Sequence, residues 1–223
     1  MLTKFKQKVQ QLLSSEARIA HKMGLTPNVV TAIGFVLAFL AALAYAFTTS
    51  GDHIWLIVAV VLLLASGFCD TLDGALARTF QQASDFGGFM DSLLDRYADV
   101  FVLSGVAISG ASVVINSTFS LVAVLAAIAS SFMVSYSRAR AEATGIRMES
   151  IGIAERPERI IILAMASVIA IFWLPTLIIG VIVIAVLATL TVLQRGVHVF
   201  RSLKAKDELD KRAKEKANTT TEG

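Results

Sequence analysis

A single cysteine, Cys69, stands in a chain of 223 residues. One thiol excludes an intrachain disulfide and any zinc site built on several thiolates, and Cys69 reads as a small apolar side chain within a helix. Histidine is almost as scarce. His21, His53 and His198 are scattered, none with a partner ligand at a useful spacing. No basic patch is interleaved with aromatic residues, so the formal net charge of +3 and the sequence pI of about 9.1 do not read as a nucleic-acid footprint. Orientation in a bilayer and contact with anionic lipid account for the cation excess better. The first twenty residues are polar and amphipathic, unlike a cleavable signal peptide, and no internal repeat is found.

What the chain has in abundance is apolar surface. Hydrophobic residues make up 56% of it and the mean hydropathy is +0.71, more than a soluble fold of this size can hide. The expected class is an all-α integral membrane protein with six transmembrane helices and an N-terminal amphipathic surface helix. Residues 3–22 set Phe5, Val9, Leu12, Leu13 and Ile19 among Lys4, Lys6, Lys8, Arg18 and Lys22, the pattern of a helix lying on a membrane. Pro27 suits the first turn of the next helix, which Thr26 or Asn28 can cap. Spans are expected near residues 29–47, 54–76, 86–108, 119–137, 160–172 and 177–199, each close to the ~20 residues that cross a hydrocarbon core except the fifth, which is short. The organisation is thus 1–25 surface helix, 26–202 membrane domain and 203–223 charged tail.

Charge placement orients this arrangement. Lysine and arginine fall on the N-terminal segment, the second-to-third and fourth-to-fifth links, the tail, and span ends on that side. The opposite loops carry only Asp52. By the excess of cations on cytoplasmic segments, both termini face the cytoplasm, in a multi-pass protein of the cell membrane.

Four carboxylates break the apolar pattern. Asp70 and Asp73 share a helix face at i,i+3, and Asp91 and Asp95 share one at i,i+4. The link from Arg78 to Asp85 is short, so spans two and three run antiparallel and bring the pairs into one pocket with its mouth toward the cytoplasm. Ionisable groups inside a membrane are costly and mark function. Such a cluster repels itself unless divalent cations neutralise it, and oxygen-only ligation suits Mg²⁺ or Mn²⁺. Divalent ions held in this way can neutralise phosphate oxygens.

The full pattern is Asp70, Asp73, Gly74, Ala77 and Arg78, then eight residues, then Gly87, Asp91 and Asp95. With this spacing the chain resembles the CDP-alcohol phosphotransferases, membrane enzymes that move a lipid-phosphoryl group from a CDP-lipid to an alcohol and release CMP. The resemblance implies Asp70, Asp73, Asp91 and Asp95 as metal ligands, and Asp95 as the base that deprotonates the acceptor hydroxyl. It implies CDP-lipid contacts from Asn28, Val29, Val30, Thr31, Gly74, Arg78 and Ser84. It also implies a homodimer. Asp99 continues the stripe of Asp91 and Asp95 but lies outside the pattern, and is expected as a structural partner, with Arg96 at i,i+3 the candidate.

A second constellation addresses the acceptor. The fourth span ends in Ser135-Tyr-Ser-Arg138, the fifth opens with Glu155-Arg156-Pro157-Glu158-Arg159, and Arg195 lies toward the cytoplasmic end of the sixth. Arginines grip phosphate by bidentate hydrogen bonds, which a phosphorylated polyol acceptor needs and a neutral one does not. These segments resemble the subgroup that uses inositol 1-phosphate, the phosphatidylinositol and archaetidylinositol phosphate synthases, which implies Ser135, Arg138, Arg159 and Arg195 around the acceptor phosphate. Glycerol 3-phosphate, as in phosphatidylglycerophosphate synthesis, stands as the alternative acceptor. A cation transporter is the rival of another class, since buried carboxylates also line ion pathways.

Overall fold

The computed structural model describes residues 15–49, 53–148 and 151–221, with side chains through residue 206. Among the described residues, the elements are helices. Residues 15–22 form α1; α2 is Pro27–Ala46, α3 Ile54–Thr79, α4 Asp85–Ile108, α5 Gly110–Ile115, α6 Ser117–Ala143, α7 Arg156–Ala170 and α8 Thr176–Thr221. The first fourteen residues, and with them most of the expected surface helix, lie outside the described residues.

Local chemistry sets the helix starts. Thr26 caps α2, its hydroxyl accepting from Val29 N at 3.4 Å, with Pro27 in the first turn. Ser84 caps α4 by accepting from Gly87 N at 3.0 Å, and Asn116 caps α6 by accepting from Phe119 N at 3.0 Å. Each cap satisfies one of the amides that a helix start leaves without an intrahelical partner.

Among the described residues, four helices are long and apolar enough to cross a membrane: α2, α3, α6 and the Thr176–Lys206 part of α8. They are apolar on both faces. Along α3, Leu56, Ala59 and Leu63 are buried while Ile57, Val61, Leu64 and Phe68 are exposed, as expected of a helix with protein on one side and lipid on the other. The two remaining expected spans differ for identifiable reasons. Helix α4 carries Asp85, Asp91, Asp95, Arg96 and Asp99 within 24 residues, and α7 has only 15 residues, about 22 Å of helix.

The long helices pack as two groups. Helix α2 lies against α3 and α4, α8 lies against α6 and α7, and the groups meet where α7 touches α3 and α6 touches α4. Small residues permit the closeness. At Gly105 on α4 any Cβ would run into the backbone carbonyl of Ala42 on α2. Across the group boundary, the buried Tyr45 hydroxyl of α2 and Ser167 Oγ of α7 are hydrogen-bonded at 2.7 Å.

Two features depart from the sequence expectation. The link between the third and fourth expected spans contains the short helix α5, and α8 continues through the expected end of the membrane domain at residue 202 without a break. Within α1, Ala17 and Ala20 are buried against Val30, Leu72 and Leu76, and the His21 ring stacks on Phe80 with centroids 3.8 Å apart. The second half of the N-terminal segment is therefore packed onto the ends of α2 and α3.

Candidate active site

The carboxylates gather where the two helix groups meet. Asp70 comes from α3, and Asp91 and Asp95 from α4; each offers an oxygen, and these oxygens all lie within 4.8 Å of one another. Asp73 lines the same small cavity from one turn further along α3, but it is turned toward α2, where it accepts a hydrogen bond from the Thr31 hydroxyl at 2.7 Å. That hydroxyl also reaches Pro27 O at 3.0 Å, so the start of α2 holds Asp73 in place.

The donor set fits a divalent cation. Among the described residues, Asp91 Oδ1 is buried without a hydrogen-bond partner, a costly state for a charged oxygen unless another ligand satisfies it. The oxygens are hard ligands of the kind Mg²⁺ and Mn²⁺ take. Three of the four expected ligands thus form one metal-sized group, and the fourth sits at its edge.

A residue that the sequence reading passed over lies in this cluster. Arg156, at the start of α7, places Nη1 2.8 Å from Asp70 Oδ1 and 2.5 Å from Asp95 Oδ1, and Nε 3.6 Å from Asp99 Oδ1. The Nη1 contacts are off the direction a hydrogen bond requires, so they are ion pairs and not directional bonds. The signal available in the sequence was the first arginine of Glu155-Arg156-Pro157-Glu158-Arg159, and only the second was singled out.

On one side the cluster opens into a cleft of about 170 Å³ between α2 and the link joining α3 to α4. Of the expected CDP-lipid residues, Asn28, Thr31, Gly74 and Ser84 line it, along with Asp73 and Asp91. Gly87 keeps this cleft open, because a Cβ there would come within 2.9 Å of both Asn28 Oδ1 and Ser84 Oγ. Arg78 is exposed, with its guanidinium lying over Gly74, where an added Cβ would meet Nη1 at 3.2 Å. The two valines are not in the cleft. Val30 is buried among Leu72, Ala75 and Leu76, and Val29 faces outward.

On the other side lies a cavity of about 430 Å³ between α4, α6, α7 and α8. All four expected acceptor residues, Ser135, Arg138, Arg159 and Arg195, line it, and so do Asp91, Asp95 and Arg156. Arg195 is 2% exposed and donates from Nε to Ile151 O at 2.8 Å, from Nη1 to Val134 O at 2.5 Å and from Nη2 to Glu155 Oε1 at 3.0 Å. Arg159 donates to Ala154 O at 3.2 Å and to Asp99 Oδ2 at 2.6 Å. Arg138 pairs with Glu142 at 2.9 Å on the exposed end of α6.

Asp99 is a structural partner, as the sequence suggested, but not of Arg96. Its partners are Arg159 and Arg156 on α7, whereas Arg96 donates to Ser92 O and stands 3.8 Å from Asp95. The i,i+3 neighbour on its own helix loses to two cations delivered by the facing helix.

Comparison with known proteins agrees with this geometry. Residues 24–193 match the profile of the CDP-alcohol phosphatidyltransferase family. Archaetidylinositol phosphate synthase of Pyrococcus horikoshii is 41% identical over 195 residues, covering 87% of this chain and 94% of that protein. The crystal structure of Mycobacterium tuberculosis phosphatidylinositol phosphate synthase with CDP-DAG bound superposes with a TM-score of 0.72 at 30% identity, over 85% of this chain and 94% of that one. The same enzyme in complex with manganese and citrate superposes with a TM-score of 0.71 at 30% identity, over 84% of this chain and 88% of that one.

Proposed function

The chain belongs to the CDP-alcohol phosphatidyltransferase family, and from that premise we propose that it transfers the lipid-phosphoryl group of a CDP-lipid to inositol 1-phosphate. The products are CMP and an archaetidyl- or phosphatidylinositol phosphate. As an enzyme of this family it is not a cation transporter, and its carboxylates serve group transfer.

The observation that carries the acceptor reading is shared walls. Asp91 and Asp95 line the arginine cavity as well as the carboxylate cluster, so an acceptor whose phosphate lies among Arg138, Arg159 and Arg195 has its hydroxyl beside the reacting centre. Positioning of this kind is a large part of catalysis. The relative from Pyrococcus horikoshii, named for an inositol phosphate product, supports the same acceptor.

Asp70, Asp73, Asp91 and Asp95 would hold Mg²⁺ or Mn²⁺, two ions in this reading. When bound, the metal neutralises pyrophosphate oxygens and the departing nucleotide phosphate. The chain's own residues do the rest. Asn28, Thr31, Gly74 and Ser84 shape the cleft for the cytidine diphosphate, with Arg78 at its mouth. Val30 packs behind that wall against Leu72, Ala75 and Leu76, and Val29 faces outward. Asp95 takes the proton from the acceptor hydroxyl; the oxygen then bonds to the lipid-side phosphorus, and the bond to CMP breaks, its electron pair leaving with CMP.

In the membrane we place six spans, α2, α3, α4, α6, α7 and α8, with α1 at the surface. Both termini and the site face the cytoplasm, in accord with the lysines and arginines gathered on that side. The protein works as a homodimer.

A substrate matrix tests the acceptor. Purified protein is given CDP-diacylglycerol or CDP-archaeol with inositol 1-phosphate, glycerol 3-phosphate, inositol or serine, and CMP release is measured. Turnover should be highest with inositol 1-phosphate. Preference for glycerol 3-phosphate would overturn the acceptor while leaving the chemistry intact.

A further inference from the structure

Among the described residues, five arginines and five carboxylates line the acceptor cavity. Counted by side chains alone it is formally neutral. To reach an arginine, an anion must take over donors that the protein's own carboxylates already hold. Where that exchange can happen differs from one arginine to the next.

Arg195 has little freedom. Its Nε and Nη1 are bonded to the backbone carbonyls of Ile151 and Val134, which hold the guanidinium in place. Only Nη2 is bonded to a side chain, the Glu155 carboxylate at 3.0 Å, and that carboxylate is 38% exposed where Arg195 is 2% exposed. The Nη2 edge is where a ligand in the cavity can reach Arg195, and Glu155 stands on it. Glu155 is the N-cap residue of α7, and its side chain makes no capping bond to the helix among the described residues, so the contact with Arg195 is the one that fixes its carboxylate. Glu142 is a weaker candidate, since its partner Arg138 is about half exposed and such pairs contribute little.

We propose that Glu155 is an affinity-setting residue, an intramolecular competitor for the phosphate that Arg195 binds; this rests on the acceptor reading above. The reaction gives it a purpose. The acceptor's phosphate is not consumed, so the lipid product still carries the group the arginines hold. A site that gripped it with uncontested arginines would retain its product. The returning carboxylate replaces the phosphate on Nη2 and makes the grip reversible.

The test compares the wild type with Glu155→Gln, which keeps the shape and removes the charge, Glu155→Asp, which draws the charge back by one methylene, and Glu158→Gln. Glu158 is an exposed residue of the same helix turn outside the cavity lining and controls for charge removal alone. Two quantities are read in the CMP-release assay: KM for inositol 1-phosphate and the inhibition constant of inorganic phosphate. In Glu155→Gln both should fall by about threefold or more, the scale of a part-exposed ion pair, with kcat at or below the wild-type value. Glu155→Asp should fall between, and Glu158→Gln should match the wild type. Unchanged or higher constants in both Glu155 variants, or an equal fall in Glu158→Gln, would overturn the role of Glu155. A wild type that prefers glycerol 3-phosphate would instead overturn the acceptor reading, and the same variants would then be read with that substrate. Turnover of unphosphorylated inositol alone would overturn both.

Discussion

Arg159 Nη2 lies 2.6 Å from Asp99 Oδ2, tying the start of α7 to the middle of α4 in the wall of the arginine-lined cavity. Both side chains are largely buried, 8% and 19% exposed, and they come from the two different helix groups. Removing one member of such a pair leaves an uncompensated charge. Asp99→Asn should therefore lower stability by about 2 kcal/mol or more, read as a lower melting temperature in detergent. The double variant Asp99→Asn with Arg159→Gln should recover part of that loss, and strict additivity would show that the two side chains act independently.

Asp95 is the proposed base. Asp95→Asn keeps the shape of the side chain but cannot accept the hydroxyl proton, so CMP release should drop at least about 100-fold. Near-normal turnover would remove Asp95 from that role.

Metal dependence should be complete and should trace to named oxygens. Chelation is expected to stop CMP release, and added Mg²⁺ or Mn²⁺ to restore it. Asp91→Asn should weaken Mn²⁺ binding measured by electron paramagnetic resonance without substrate, because the buried Asp91 Oδ1 has no hydrogen-bond partner among the described residues and can turn to a cation. Unchanged Mn²⁺ affinity would exclude Asp91 from the ligand set.

Gly105 tests the packing of α2 on α4. Its missing side chain faces the Ala42 carbonyl, a backbone group that cannot turn aside. Gly105→Val should destabilise by about 1–3 kcal/mol, the range for overpacking, seen in thermal unfolding with all active-site residues intact. A wild-type melting temperature would show that the helices separate at little cost.

Much of this molecule is legible in one dimension because its signals are local. Apolar length marks α2, α3, α6 and α8, and Thr26, Pro27 and Ser84 mark where α2 and α4 begin. The spacing of Asp70 with Asp73 and of Asp91 with Asp95 puts each pair on one helix face, and the short link between α3 and α4 joins the pairs. The convergence of Ser135, Arg138, Arg159 and Arg195 was legible too, since all four line one cavity. Where the reading fell short, the missing information was rotational. Val30 neighbours Thr31 in the chain, but one residue is about 100° of helix, enough to turn Val30 into the packing against Leu72 while Thr31 meets Asp73.

Chain order and residue chemistry were sufficient to specify the membrane class, the carboxylate cluster and the family whose reaction needs it. The first rests on apolar content and run length, the others on spacing within a helix or across a short link, all of which the order of residues encodes directly. The tertiary structure alone decided the partners: Asp99 with Arg159 instead of Arg96, Arg156 in contact with Asp70 and Asp95, and Glu155 on the reachable edge of Arg195. Which charge meets which depends on how α7 and α8 are rotated and how closely they approach α3, α4 and α6. That is set by small-residue packing across the whole bundle, and no local pattern around Arg156 or Glu155 carries it.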